Sequence, residues 1–236
     1  MSLSKKADTA YLAIRRAIIE HALVPGTKLP EDPLAEQFAV SRTLIRAALA
    51  RLASDGLVEI GNKRTATVAR PSLEEARAVF EARRCIEAEI VRLAVARLKP
   101  GAIQMLEAHV REEDAAAGAK QGTASIRLAG EFHIKLAEMA GNPVLARYLS
   151  ELATRCSLIL AVYGRPHSSD CAVNEHRDLI QALREKNTEH AVSLMDAHLH
   201  GIQDRALLPE RQASDEDLGS ILAPYAKAAA DTAGKT

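Results

Sequence analysis

Residues 31–70, EDPLAEQFAVSRTLIRAALARLASDGLVEI followed by GNKRTATVAR, constrain the fold more than any other part of the chain. Asp32 has the side chain of a helix N-cap, and Pro33 stands at the first helical position, where its missing N–H costs nothing. Leu34, Ala35 and Phe38 form an apolar stripe that one short helix can bury, and Ala39-Val40 turns the chain into a second N-cap, Ser41. On the helix that follows, Ile45, Ala48, Leu49 and Leu52 share one face. Arg42, Thr43 and Arg46 lie on the opposite, early face, and Gly56 supplies the stop. Residues 57–60 and 65–68 alternate in the manner of two short strands, with Asn62-Lys63-Arg64 at the tip between them.

Two short helices, a tight turn and a two-stranded wing place the first residues of the second helix against base edges in a major groove. An arginine there can bridge guanine O6 and N7 with two hydrogen bonds, and cations at a wing tip can reach phosphate or a minor groove. An Arg-bearing helix face alone is more often a solvated surface; the surrounding turn and wing are what point to nucleic acid. Charge agrees. Through residue 70 the chain carries eleven Lys+Arg against seven Asp+Glu, a balance of +4. Because the totals are 31 and 31, the remainder carries −4. A basic head on an acidic body is expected if the head alone touches phosphate.

Residues 11–68 resemble the winged helix of the GntR family of bacterial transcription regulators. LVPGTKLPEDPLAEQFAVSRTLIRAALARLASDGLVE carries that family's early PG turn, LA pair, VSRT helix start, later Arg and GLV exit. The resemblance implies that Arg42, Thr43, Arg46, Lys63, Arg64 and Thr65 form the DNA-contacting set. Two positions depart from the family pattern: Asp32 stands where an Arg is common, and Thr65 where a wing-tip Gly is common. Affinity is therefore expected to rest more on Arg42, Arg46, Lys63 and Arg64.

The 236 residues are enough for one small and one medium domain, and 47% apolar content supplies their cores. Aromatic residues make up only 3%, while Ala, Leu, Glu and Arg abound, a helical composition. The expected fold is mainly α: a winged helix-turn-helix of three helices and a two-stranded wing over residues 1–70, then an antiparallel all-α bundle over 71–208 and a flexible tail over 209–236. Pro71-Ser72 marks the boundary, since Pro ends the wing strand and Ser72 can cap a helix. Expected helices then span 73–98, 101–118, 123–140, 143–163, 169–186 and 188–207. No run of about 18 apolar residues suggests a membrane span and no apolar segment near the N-terminus suggests export, so a cytoplasmic protein is expected. Cys85, Cys156 and Cys171, odd in number and widely spaced, read as buried thiols in a reducing compartment.

Three of the eight histidines stand where geometry can bring them together: His133, His176 and His198. His176 and His198 are each eleven residues from Asn187, the expected turn between two antiparallel helices, and so each is about 16 Å from it. On antiparallel helices the two imidazoles then sit at one height. Any one such histidine is usually a surface or hydrogen-bonded core residue; convergence of three is what a metal needs.

Residues 74–207 resemble the FCD ligand-sensing domain that follows this winged helix in the FadR branch of the GntR family. VFEARRCIEAEIVRLAVARL is similar to its first helix, EFH…AGNP to its central helix and NEH…DAHL to its closing pair. The resemblance implies a homodimer that binds palindromic operator DNA and responds to a small carboxylate effector, more commonly by relief of repression. It also implies a divalent metal held by His133, His176 and His198, with Arg83 as the effector clamp. Arg84 is the alternative inward residue, and Arg155 a second pocket candidate. The family's Asp ligand would stand at Ala129, and Glu131 is turned about 160° away from that face. Three imidazoles with an open position favour zinc or nickel over ions that prefer oxygen. The same trio also describes a catalytic zinc site. Against an enzyme, the adjacent carboxylates, Glu131 and Glu175, are both expected to point off the ligand face. An architectural DNA-binding protein without effector is the third reading.

Overall fold

In the computed structural model, which describes residues 3–61, 65–119, 122–164 and 170–207, apolar side chains from two parts of the chain gather into separate cores. The first contains α1 (Leu3–Ile19), β1 (Lys28–Leu29), α2 (Glu31–Phe38), α3 (Arg42–Ser54), β2 (Val58–Glu59) and β3 (Ala66–Val68). Ser41 caps α3 by accepting a hydrogen bond from Leu44 N, and Gly56 follows its end at φ +75°, a backbone state that glycine adopts freely. Ile45, Leu49 and Leu52 turn inward against Ile14 and Ile18 of α1, leaving Arg42, Thr43 and Arg46 exposed.

Three details of the head differ from the sequence reading. α2 begins at Glu31 rather than after an Asp32 cap, with Pro30 in the cap position and no side-chain cap bond. Pro33 falls two residues further into the helix, still among the first four whose N–H groups lack intrahelical partners, so it remains harmless. The sheet has three strands in the order β1-β3-β2, all antiparallel. β1 escaped the sequence because two residues show no alternation. Ile60, read as a strand residue, lies beyond β2 and is 54% exposed.

Ser72 accepts from Glu75 N and starts α4 (Leu73–Ala96), as its sequence suggests. α5 (Ala102–Gly118), α6 (Gly122–Met139), α7 (Pro143–Tyr163), α8 (Asp170–Arg184) and α9 (Thr188–Leu207) complete the body within a few residues of the expected spans. Gly141 at φ +64° ends α6, and Asn142 caps α7 through Val144 N and Leu145 N with Pro143 at the first turn. α4 packs against α6, α7 and α9, while α5 and α8 close the other side of the core around Phe132, Leu136, Leu149 and Leu199. No helix among the described residues is long and apolar enough to cross a membrane. Cys156 is buried as expected, but Cys85 is exposed on α4, because its position in the helix faces away from α6, α7 and α9; both are free thiols. The Cys171 side chain and the tail expected from residue 209 lie outside the described residues.

The winged helix rests on α7. Leu158 of α7 inserts into the head's apolar core, and Arg15 Nη2 donates to Thr154 Oγ1 at 2.5 Å. Tyr163 donates its hydroxyl to the Pro71 carbonyl at 2.9 Å, fixing the chain where head becomes body.

Candidate metal, effector and DNA sites

α6, α8 and α9 each bring one histidine to the same place inside the body. His133, His176 and His198 are 1–4% exposed, and one nitrogen from each lies within 4.8 Å of the others. The His176 and His198 rings are 4.8 Å apart, so equal distance from the Asn187 turn does bring them to one height. Phe132, next to His133 on α6, stacks on His176 at 3.9 Å and fixes its plane.

Each ring turns its Nδ1 outward to a carboxylate. His133 meets Glu87 at 2.5 Å, His176 meets Glu113 at 2.9 Å and His198 meets Glu175 at 2.5 Å. Ionised carboxylates only accept, so in each pair Nδ1–H donates, and the neutral ring's lone pair is left on Nε2. Those lone pairs converge: His133 Nε2 and His198 Nε2 are 3.3 Å apart, and buried His176 Nε2 has no hydrogen-bond partner. Two acceptors facing at that distance repel unless a cation lies between them. The edge of a tetrahedron with metal–nitrogen bonds of about 2.0–2.1 Å is about 3.3 Å, so the donor set fits such an ion. Carboxylate partners on the far nitrogen are the usual support for a metal-binding histidine.

Electrostatics keep His133 and His198 neutral. Burial pushes His133 down to about 4, reinforced by the Arg83 charge, and pushes His198 down to about 3, reinforced by its neighbouring histidines. Burial works against the Glu87 charge, but Arg83 and His133 bring its carboxyl down to about 2.

A cavity of about 340 Å³ opens beside the trio, lined among others by Arg83, Ala129, His133, Cys156 and His198. Arg83, not Arg84, is the inward arginine: it is 3% exposed, whereas Arg84 pairs with Asp196 and His200 of α9. Arg83 donates Nε–H to Glu87 Oε1 at 2.7 Å; its Nη2 lies equally near that oxygen but at an angle that makes no hydrogen bond, and stays unsatisfied. Ala129 lines the cavity one turn before His133, so the position of the missing Asp opens space beside the trio.

Arg155 does not line this cavity. It donates Nε–H to the Asp55 carbonyl at 3.4 Å and lies 3.8 Å from Glu75, joining the head to the start of α4. Its place on α7 faces the head, and its guanidinium covers Gly56 so closely that a Cβ there would meet Nε at 2.5 Å. Glu175 also corrects the sequence reading, since it points at the trio through His198 instead of away from it. Glu131 does point elsewhere, pairing with Arg127 at 2.7 Å.

Sequence reasoning passed over Glu87, Glu113, Arg205 and His21. Glu87 could have been found one turn after Arg83, and Arg205 two turns after His198 on the same helix face. Arg205 lines the cavity and holds a buried Nε without a partner. Glu113 left no signal, because only the packing of α5 on α8 brings it to His176. His21 belongs to the head, yet lines the same cavity and donates Nε2–H to the Ser157 carbonyl at 2.8 Å. It does so at φ +57°, a left-handed backbone uncommon for a residue with a side chain.

On the head's outer face, Arg42, Thr43, Arg46 and Thr65 are all exposed, and Arg42, Arg46 and Thr65 line one shallow groove. Lys63 and Arg64 lie outside the described residues. Glu31 and Asp32 share the groove with Arg42 and Arg46.

Comparison with known proteins agrees with both halves. Residues 6–68 match the family described as bacterial regulatory proteins, gntR family, and residues 78–201 match the FCD domain. The HTH-type transcriptional repressor RspR of Escherichia coli is 25% identical over 206 residues, covering 87% of this chain and 90% of that protein. The repressor NanR of Salmonella schwarzengrund is 28% identical over 230 residues, covering 86% and 84%. The solved structure of E. coli McbR/YncC shares the fold at a TM-score of 0.76 and 22% identity, over 85% of this chain and 95% of its own. RspR and NanR are transcriptional repressors, and the matched family is one of regulators rather than enzymes. The chain belongs to the GntR family of bacterial transcriptional regulators, with a winged helix-turn-helix for its head and an FCD domain for its body.

Proposed function

We propose that the protein is a homodimeric, effector-controlled repressor that reads a palindromic operator with α3 and senses a small organic acid in the histidine cavity, with help from a divalent ion of the zinc or nickel class. The observation that carries this reading is the convergence of three carboxylate-supported imidazoles, lone pairs inward, beside a cavity with unsatisfied guanidinium nitrogens. His133, His176 and His198 would hold the ion, which when bound supplies a Lewis-acid centre for an acid's carboxylate. Arg83 Nη2 and Arg205 Nε offer N–H groups to an anion, and Arg83's planar fork suits a carboxylate. The repressor relatives support repression, and paired heads on successive major grooves about 34 Å apart account for a dimer on a palindrome. A protein acting on DNA in this way works in the bacterial cytoplasm.

Coupling runs through His21. A carboxylate in the cavity is a stronger acceptor than the Ser157 carbonyl and competes for the His21 N–H. Taking it removes one of the contacts between the head and α7, leaving Leu158, Arg15 and Arg155 in place, and so shifts the population of head positions.

Calorimetric titration with zinc or nickel, and a thermal-shift screen of metabolic carboxylates with and without chelator, test the site. Stoichiometric binding lost in His176→Ala is expected; an unaltered variant would refute it. Arg46→Ala should remove about 1–3 kcal/mol of base discrimination in a gel-shift titration. Light scattering should give about twice the 25.4 kDa chain mass.

A further inference from the structure

We propose that Glu31 and Asp32 are specificity-determining residues of the DNA interface, holding Arg42 and Arg46 back from random phosphate while orienting Arg46 toward base edges. The proposal rests on the reading of α3 as the helix that enters the major groove.

The geometry divides Arg46 in two. Its Nε–H lies 2.8 Å from both Glu31 carboxylate oxygens, leaving the four N–H groups on Nη1 and Nη2 outside that hydrogen bond. Guanine asks for two donors, at O6 and N7. Glu31 can therefore fix the guanidinium plane without consuming the hydrogens needed for bidentate reading. Arg42 is ion-paired on the same side, its Nε 3.0 Å from Asp32 Oδ1 and 3.5 Å from Glu31 Oε2.

Charge arithmetic explains what this achieves. Two guanidiniums against two carboxylates leave this part of the reading face near zero net charge. Binding to random duplex is driven by neutralising phosphates and releasing counterions, so a neutralised face gains little from it. Phosphate oxygens also accept from arginine but are the same at every sequence, so only a matching set of base edges adds hydrogen bonds that offset the repulsion between these carboxylates and the DNA backbone. Disfavouring the wrong partner is how such a carboxylate improves discrimination.

The test uses an operator duplex selected from a random pool by the wild-type dimer and a scrambled duplex of equal length, each titrated over a range of salt. Glu31→Gln and Asp32→Asn preserve shape and remove one charge each; circular dichroism and melting curves verify folding. Each variant is expected to bind the scrambled duplex roughly five- to tenfold tighter at about 0.1 M salt, with the slope of log K against log salt steeper by about one. Operator affinity should rise less, or fall in Glu31→Gln, so the operator-to-scrambled ratio drops at least threefold. Arg46→Ala separates the two layers of the argument. If it leaves operator preference intact, the DNA-reading assignment fails and this inference with it. If it abolishes preference while both folded carboxylate variants keep the wild-type ratio and salt slope, the inference alone is overturned. Equal tightening on both duplexes also overturns it, since the carboxylates would then lower affinity without sharpening choice.

Discussion

Replacing Glu87 by Gln while retaining Arg83 leaves a buried guanidinium without its counter-charge. Glu87 is wholly buried, Arg83 is 3% exposed, and their hydrogen bond is 2.7 Å long. Breaking a buried pair from one side costs about 3–5 kcal/mol, because the remaining charge is stranded out of water. Access of water to the adjoining cavity moves the expected loss toward about 3 kcal/mol, a melting temperature lower by roughly 6–12 °C for a domain of this size. Arg83→Met/Glu87→Gln behaves differently, since neither charge remains and Gln Oε1 can still accept from His133 Nδ1–H. That double variant should recover most of the loss, because an apolar replacement of a buried pair is often neutral. Chemical denaturation of the metal-free protein, with chelator present, measures both terms of the cycle. The pH limb provides a second reading. A carboxyl lowered to about 2 contributes stability that is present above its ordinary 4.5 and disappears as pH falls through that interval, so Glu87→Gln should flatten the acid limb. Additive losses, with the double variant as damaged as the two singles together, would refute the reasoning. If the double variant folds well, stability does not require the pair, and its remaining role is to present Arg83 to a ligand.

Glu113→Gln keeps an acceptor for His176 but removes a charge behind the trio, and should weaken zinc or nickel binding about 10–100-fold in a calorimetric titration. Ala129→Asp adds an oxygen ligand one turn before His133; manganese affinity should rise most, while the metal-free variant should lose a few kcal/mol from its melt. If saturating metal leaves Ala129→Asp less stable than wild type, the trio does not form the proposed site. His21→Gly relieves the left-handed backbone and deletes the tether to Ser157, two effects of about 1 kcal/mol and opposite sign. Melting should therefore change little while amide exchange accelerates over residues 19–24, and unchanged exchange would count against a role for His21 in holding the head.

Local rules made much of this molecule legible. Ser41, Ser72 and the Gly141-Asn142-Pro143 break mark helix ends through backbone hydrogen bonding that depends on a few adjacent residues. Helical period placed Ile45, Leu49 and Leu52 inside and Arg42, Thr43 and Arg46 outside, and equal spacing from Asn187 foretold that His176 and His198 would meet. The sequence could not assign the partners of those groups. Packing across helices far apart in the chain decided that Glu87 and Glu113 support the histidines and that Arg155 joins the head instead of the cavity. Packing also placed His21 of the head in a wall of the body's cavity. Capping and periodicity are set within one or two turns, whereas the direction of a buried polar side chain is set by which distant acceptor its desolvated N–H groups can reach.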